Sequence, residues 1–163
     1  MVAIFLQLFS DFLYLKGMIY MQQSDITTLH SGIIFNPVNC QNQITEPIHQ
    51  YLVSLYPKLK QKYHQFAIKY TNPDDRFGLI QLIKVSNALT IANAYTTFDN
   101  NDLSDDQKRI DEYTLKETLT RFNTYIKRQQ KKGFVLEHYT PNWSAIKRFI
   151  LENTDLTIVK LPK

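Results

Sequence analysis

Cysteine and glycine are scarce in this chain: its 163 residues include one of the first and four of the second. The lone Cys40 excludes an internal disulfide and suits a reducing compartment, so a cytoplasmic location is expected. It also excludes a cysteine-built metal centre. His30, His49, His64 and His138 are too scattered for metal-ligand spacing, so neither a metal nor a cofactor is expected. No apolar run reaches the ~20 residues that span a bilayer, and no membrane partner is expected. The opening MVAIFLQLFSDFLYL is interrupted by Gln7, Ser10 and Asp11. It lacks the basic start and the small-residue cleavage site of a secretory signal. Residues 1–17 read as an apolar extension outside the functional domain, which is expected to run from 18 to 163. Repeats and low-complexity tracts are absent.

What is present is ordinary for a globular protein, with 44% hydrophobic and 21% charged residues, a length suited to one domain. The net charge of +4 is distributed over 58–69, 108–132 and the C-terminus, as expected of a solvated surface. After Gly17, strand-like and helix-like segments alternate. Met18 to Gln22 predicts a short strand, and Gly32 to Val38 a strand buried on both faces. Thr45 or Glu46 can cap a helix with Pro47 in its first turn, placing Ile48, Leu52, Leu55 and Tyr56 on one face. Lys58 to Tyr70 predicts a basic helix, stopped by a turn at Asn72-Pro73-Asp74-Asp75. Leu79 to Val85 and Leu89 to Tyr95 read as paired strands. Leu115, Leu119, Phe122 and Ile126 mark the longest helix, with Gly133 after its cationic last turn. A strand over Phe134 to Glu137, a helix over Trp143 to Glu152 and a strand over Leu156 to Leu161 complete the chain.

Such alternation predicts an α/β layer structure with crossover helices between parallel strands. Ligands in such sheets bind outside the carboxyl ends of strands. The stretch Val38-Asn39-Cys40-Gln41-Asn42 leaves the Gly32 strand at such an end, and amides there suit hydrogen bonding to a ligand.

These segments resemble a macro domain, the ADP-ribose-binding α/β module. Ser24-Asp25-Ile26-Thr27 corresponds to the family's Gly-Asp-Ile motif, and Val38 to Asn42 to its Val-Asn-Ala-Ala-Asn motif. Ile48-His49 matches an Ile-His pair early in its first helix. The stretch GLIQLIKVSNALTIANAY matches its central strand pair, and NWSAIKRFILENTDLTIVKL its C-terminal end. The resemblance covers about residues 18 to 163 and implies a three-layer αβα fold with a mixed, mostly parallel sheet of about six strands. It also implies a ligand, ADP-ribose or a related adenine nucleotide. Asp25, with the backbone of Ile26, would hold the adenine amino group. Asn42 would approach the distal ribose, and Asn39, Thr45, His49 and Tyr139 complete the expected contact set.

The departures concern the phosphates and the chemistry. The family cradles its diphosphate with two glycine-rich loops. Gly17, Gly32, Gly78 and Gly133 fall in neither, and Gln43 to Pro47 and His138 to Asn142 stand in their places. Hydrolytic members place an aspartate where this chain has Thr45. Members with a lysine nucleophile place it where this chain has Thr96-Thr97. No catalytic set can therefore be named, although residual ADP-ribosyl hydrolase activity would be compatible with the fold. Cys40 reads as a small buried strand-end residue rather than a nucleophile. The alternative reading is a non-enzymatic interaction module that keeps the fold without the ligand. Nucleic-acid binding through Lys58, Lys60, Lys62 and Lys69 ranks below both.

Overall fold

The computed structural model describes residues 21–22, 26, 29–99, 103–137 and 142–160. In chain order its elements are β1 (Met21–Gln22), β2 (Gly32–Asn39), α1 (Pro47–Leu55), α2 (Lys58–Lys69), α3 (Pro73–Arg76), β3 (Ile80–Lys84), β4 (Leu89–Thr97), α4 (Asp105–Gln129), β5 (Gly133–Leu136), α5 (Trp143–Asn153) and β6 (Thr157–Val159). One six-stranded sheet carries them in the order β1-β6-β5-β2-β4-β3, with β1 contributing only two residues at its edge. All neighbours are parallel except β3 and β4, which form an antiparallel hairpin.

The period-2 alternation of β2 sends its side chains into two separate cores. Ile33 and Phe35 join Ala92, Ala94 and Val135 beneath Leu119, Phe122 and Ile126 of α4 and Ile146 and Ile150 of α5. Ile34 joins Ile91, Phe134 and Leu136 against Ile48 and Leu52 of α1 and Leu59 of α2. The sheet is thus sandwiched between two helical layers, the αβα arrangement expected, and β2 is a central strand buried on both faces. At mid-strand a buried amide row crosses three strands. Asn36 Nδ2 donates to Asn93 Oδ1 at 2.8 Å, and Asn93 Nδ2 donates to Gln81 Oε1 at 3.3 Å.

Most boundaries shift by a residue or two, and two differ in kind from the sequence expectation. Asn72 is an N-cap, its side chain accepting from Asp74 N at 3.0 Å, so the expected turn becomes the single-turn helix α3. Helix α4 is capped by Ser104 and stops at Gln130, which takes the left-handed conformation at φ 51. Gly133, expected to follow that helix as its stop signal, instead opens β5. A Cβ there would lie 2.6 Å from Leu156 Cδ2 and 2.9 Å from Ile126 Cγ1, so close packing is what requires glycine. Gly32 is constrained differently, by φ +109 at the start of β2 and by Lys132 O at 2.7 Å from any Cβ. None of the described helices is long and apolar enough to cross a membrane.

Candidate functional site

A cleft of about 370 Å³ opens at the carboxyl ends of β2 and β4. Pro37 from β2 and Thr96 and Thr97 from β4 form its floor, and the walls come from the starts of α1 and α5 and the N-terminal half of α4. The pairing of β2 with β4 explains the two threonines. Val38 faces Tyr95 and Asn39 faces Thr97, so the register skips Thr96. Such a bulge re-aims side chains at a strand end, and both threonines reach the cleft. Ile48, Leu115, Trp143 and Ile146 make the walls largely apolar.

The polar groups are few and come from helix ends. Glu46 and Asn142 occupy the N-cap positions of α1 and α5, and neither side chain caps its own helix. No acidic residue occupies the first turn of either helix. Two helix N-termini, each with the partial positive charge of unsatisfied N–H groups, therefore meet the same cleft. Lys108 adds a full positive charge, while Asp111 and Glu112 add negative ones. Glu112 is paired with Lys116 at 3.0 Å. Burial raises the Asp111 carboxyl, against the opposing effect of hydrogen bonds donated by Gln107 Nε2 and by Phe98 N.

Beside the cleft, the segment from Asn39 to Glu46 is tied into a knot around one side chain. Asn39 Nδ2 lies 2.7 Å from Gln43 O, 3.3 Å from Thr45 Oγ1 and 2.9 Å from Glu46 Oε1. Asn39 Oδ1 accepts from Gln41 N at 2.9 Å and from the Tyr63 hydroxyl at 3.1 Å. The loop is thus shaped by an asparagine amide. Glu46 joins this knot to the cleft, since it both lines the cavity and accepts from Asn39.

On the far side of the knot lie α2 and the remaining polar groups. Asn42 adopts φ 58, and its Oδ1 is 2.6 Å from His64 Nδ1. His49 is fully buried, edge-on to Tyr63 with ring centroids 4.7 Å apart, and among the described residues neither ring nitrogen has a hydrogen-bond partner. Burial lowers its pKa to about 4, and His64 pushes in the same direction. Glu46 Oε2, 4.0 Å from His49 Nδ1, does not overcome that burial. Cys40 is buried as well, and burial pushes its thiol up to about 12 despite the nearby Arg76 guanidinium. A thiol so held stays protonated and is a poor nucleophile. The buried Arg76 donates through Nη2 to Cys40 O at 2.5 Å, clamping the strand exit from below.

Of the residues singled out in the sequence, Asn39, Thr45 and His49 gather with Glu46 in and around the knot. Asn42 faces α2, and Ile26 is buried in the core beneath α1. Asp25 and Tyr139 lie outside the described residues. The sequence reasoning missed Lys108, Asp111 and Asn142 as cleft-lining groups, and Arg76 as a buried clamp. Lys108, Asp111, Glu112 and Leu115 recur at helical spacing, a signal for one face of α4; Arg76 gave none within PDDR. No group of three or more His, Cys, Asp or Glu could hold a metal among the described residues.

No family model matches the sequence, and no curated protein matches it. Solved structures do match the fold. A macrodomain protein from Streptomyces coelicolor aligns with 88% of this chain and 97% of its own at TM-score 0.69 and 12% identity. The macrodomain of Thermus aquaticus DarG aligns with 88% and 96% at TM-score 0.64 and 14% identity. Thermosipho africanus DarTG, solved in complex with ADP-ribose, aligns with 87% of this chain and 41% of its own at TM-score 0.63 and 12% identity. The chain has the macrodomain fold.

Proposed function

We propose, on the premise of that fold, that this chain binds ADP-ribose or a related adenine nucleotide in the cleft at the ends of β2 and β4. The observation that carries the reading is the convergence of two helix N-termini, without side-chain caps, on an apolar cavity at the carboxyl ends of parallel strands. Such N-termini attract phosphate through their N–H groups and dipoles. They stand in for the glycine-rich loops that this sequence lacks, and Lys108 supplies the countercharge. Glu46 would oppose a phosphate, but its Oε1 accepts from Asn39 Nδ2. Thr96 and Thr97 offer hydroxyls to a sugar, and the Trp143 wall offers an aromatic surface to a ring. In the same reading Asp25 and Ile26 hold the base. Asn42, whose oxygen faces His64 on α2, is proposed to reach the distal ribose through its amide N–H groups, and Tyr139 is proposed as a further ligand contact.

Neither the protonated Cys40 nor the neutral His49 supplies an activated nucleophile, so the proposal is of binding. Calorimetric titration with ADP-ribose, AMP and ribose 5-phosphate tests it. All three should bind, with ADP-ribose tightest. Asp25→Ala should weaken AMP about tenfold and spare ribose 5-phosphate, which has no base amine to lose. No heat with any of the three would hand the fold to the interaction-module reading.

A further inference from the structure

We propose a second binding surface, the groove between α2 and the outer edge of β3, that takes the sugar–phosphate backbone of a single-stranded nucleic acid. Lys58, Lys62 and Lys69 line it from α2 and Lys84 from β3, with Gln65 and Gln81 between them. Among the described residues no carboxylate lines it. Among the described residues none of these four lysines forms an ion pair, whereas several cations on α4 and α5 do: Lys116 with Glu112, Arg121 with Glu117, Lys127 with Asp155 and Arg148 with Glu152. The chain's excess positive charge thus includes a concentrated, unneutralised part along one groove, the footprint expected for a polyanion.

The geometry favours an extended strand. Lys58, Lys62 and Lys69 span about 16 Å of helix axis on one side of α2. Lys58 Nζ donates to Lys84 O at 3.1 Å, and Gln81 Nε2 donates to Lys62 O at 2.9 Å, so helix and strand are tied into a fixed trough. Its volume of about 430 Å³ is on the scale of a nucleotide rather than a duplex. An acidic peptide adding to the β3 edge fits less well. Antiparallel pairing with β4 leaves the backbone groups of Ile80, Leu82 and Lys84 pointing outward, but Lys58 occupies the Lys84 carbonyl that an added strand would need. Among the described residues the groove shares none with the cleft lining, so the two surfaces can be tested separately.

The test is fluorescence anisotropy with labelled single-stranded deoxy- and ribo-oligonucleotides of mixed sequence, at salt from about 50 to 200 mM. With up to four phosphates neutralised, log affinity should fall against log salt with a slope near −2.8, from ~0.7 per phosphate. Joint replacement Lys62→Gln, Lys69→Gln and Lys84→Gln should reduce the slope by about 2. Arginine at the same positions should keep it, because the charge remains. Thermal melts and ADP-ribose titration of the same variants show that the fold and cleft are intact. No binding at the lowest salt, or a slope unchanged by the glutamine variant, overturns the proposal. So does binding of a polyglutamate peptide or phosphatidylserine vesicles through these lysines with both oligonucleotides silent.

Discussion

His49 is a neutral imidazole held in a fully buried site. Its folded pKa of about 4 lies below the ordinary 6.5. Between those values the unfolded chain takes up a proton that the folded chain refuses, so stability falls as pH drops through the window and levels off below it. From pH 7 to pH 5 the loss should be about 2 kcal/mol. Urea unfolding at both pH values should show that loss in the native chain and not in His49→Leu; equal losses in both would place the titrating group elsewhere. Asn39 carries a different burden, because its amide makes five contacts within 3.3 Å. Asn39→Ala should cost about 3 kcal/mol by leaving buried groups unpaired, measured by the same unfolding. Cys40→Ser should lower stability by about 1–3 kcal/mol, since a hydroxyl is harder to bury than a thiol, while leaving ADP-ribose binding unchanged. Abolished binding with an intact fold would make the thiol a ligand contact.

The elements were legible in the sequence wherever hydrophobic periodicity ran unbroken. Strand β2 and helix α4 show it, β2 by a short apolar run buried on both faces and α4 by Leu115 through Ile126 at helical spacing. Legibility failed where an asparagine or a bulge overrode the period. Asn72 extended a turn into α3 by capping it, and Thr96 slipped the β2–β4 register, so period 2 no longer says which way Asn39 and Thr97 point. The cleft itself was half legible. The Asn39–Glu46 segment marks it, but Lys108, Asp111 and Trp143 reach it only through the crossover of α4 and α5 onto the sheet. Two helix-scale outcomes follow from backbone geometry. Gln130 ends α4 at φ 51, so Gln130→Gly should stabilise by about 1 kcal/mol. Gly32→Ala should instead cost about 3 kcal/mol, because it adds both a positive-φ penalty and a 2.7 Å contact with Lys132 O. Denaturant midpoints moving the other way would contradict these assignments.

At the scale of the whole molecule, the six strands and five helices described lie between Met21 and Val159. We propose that residues 1–17 lie outside the folded domain, and on that proposal a chain begun at Met18 should melt within about 2 °C of the full one. A loss of several degrees would mean that the first residues pack on the core. The binding claim has a built-in reporter, because the only tryptophan of the chain, Trp143, lines the cleft. Titration of ADP-ribose while following Trp143 fluorescence, with calorimetry on the same samples, is the most direct test. A saturable fluorescence change with matching heat is predicted, weakened about tenfold in Lys108→Glu through loss of the phosphate countercharge. A flat fluorescence trace and no heat up to millimolar ADP-ribose would contradict the cleft as a nucleotide site.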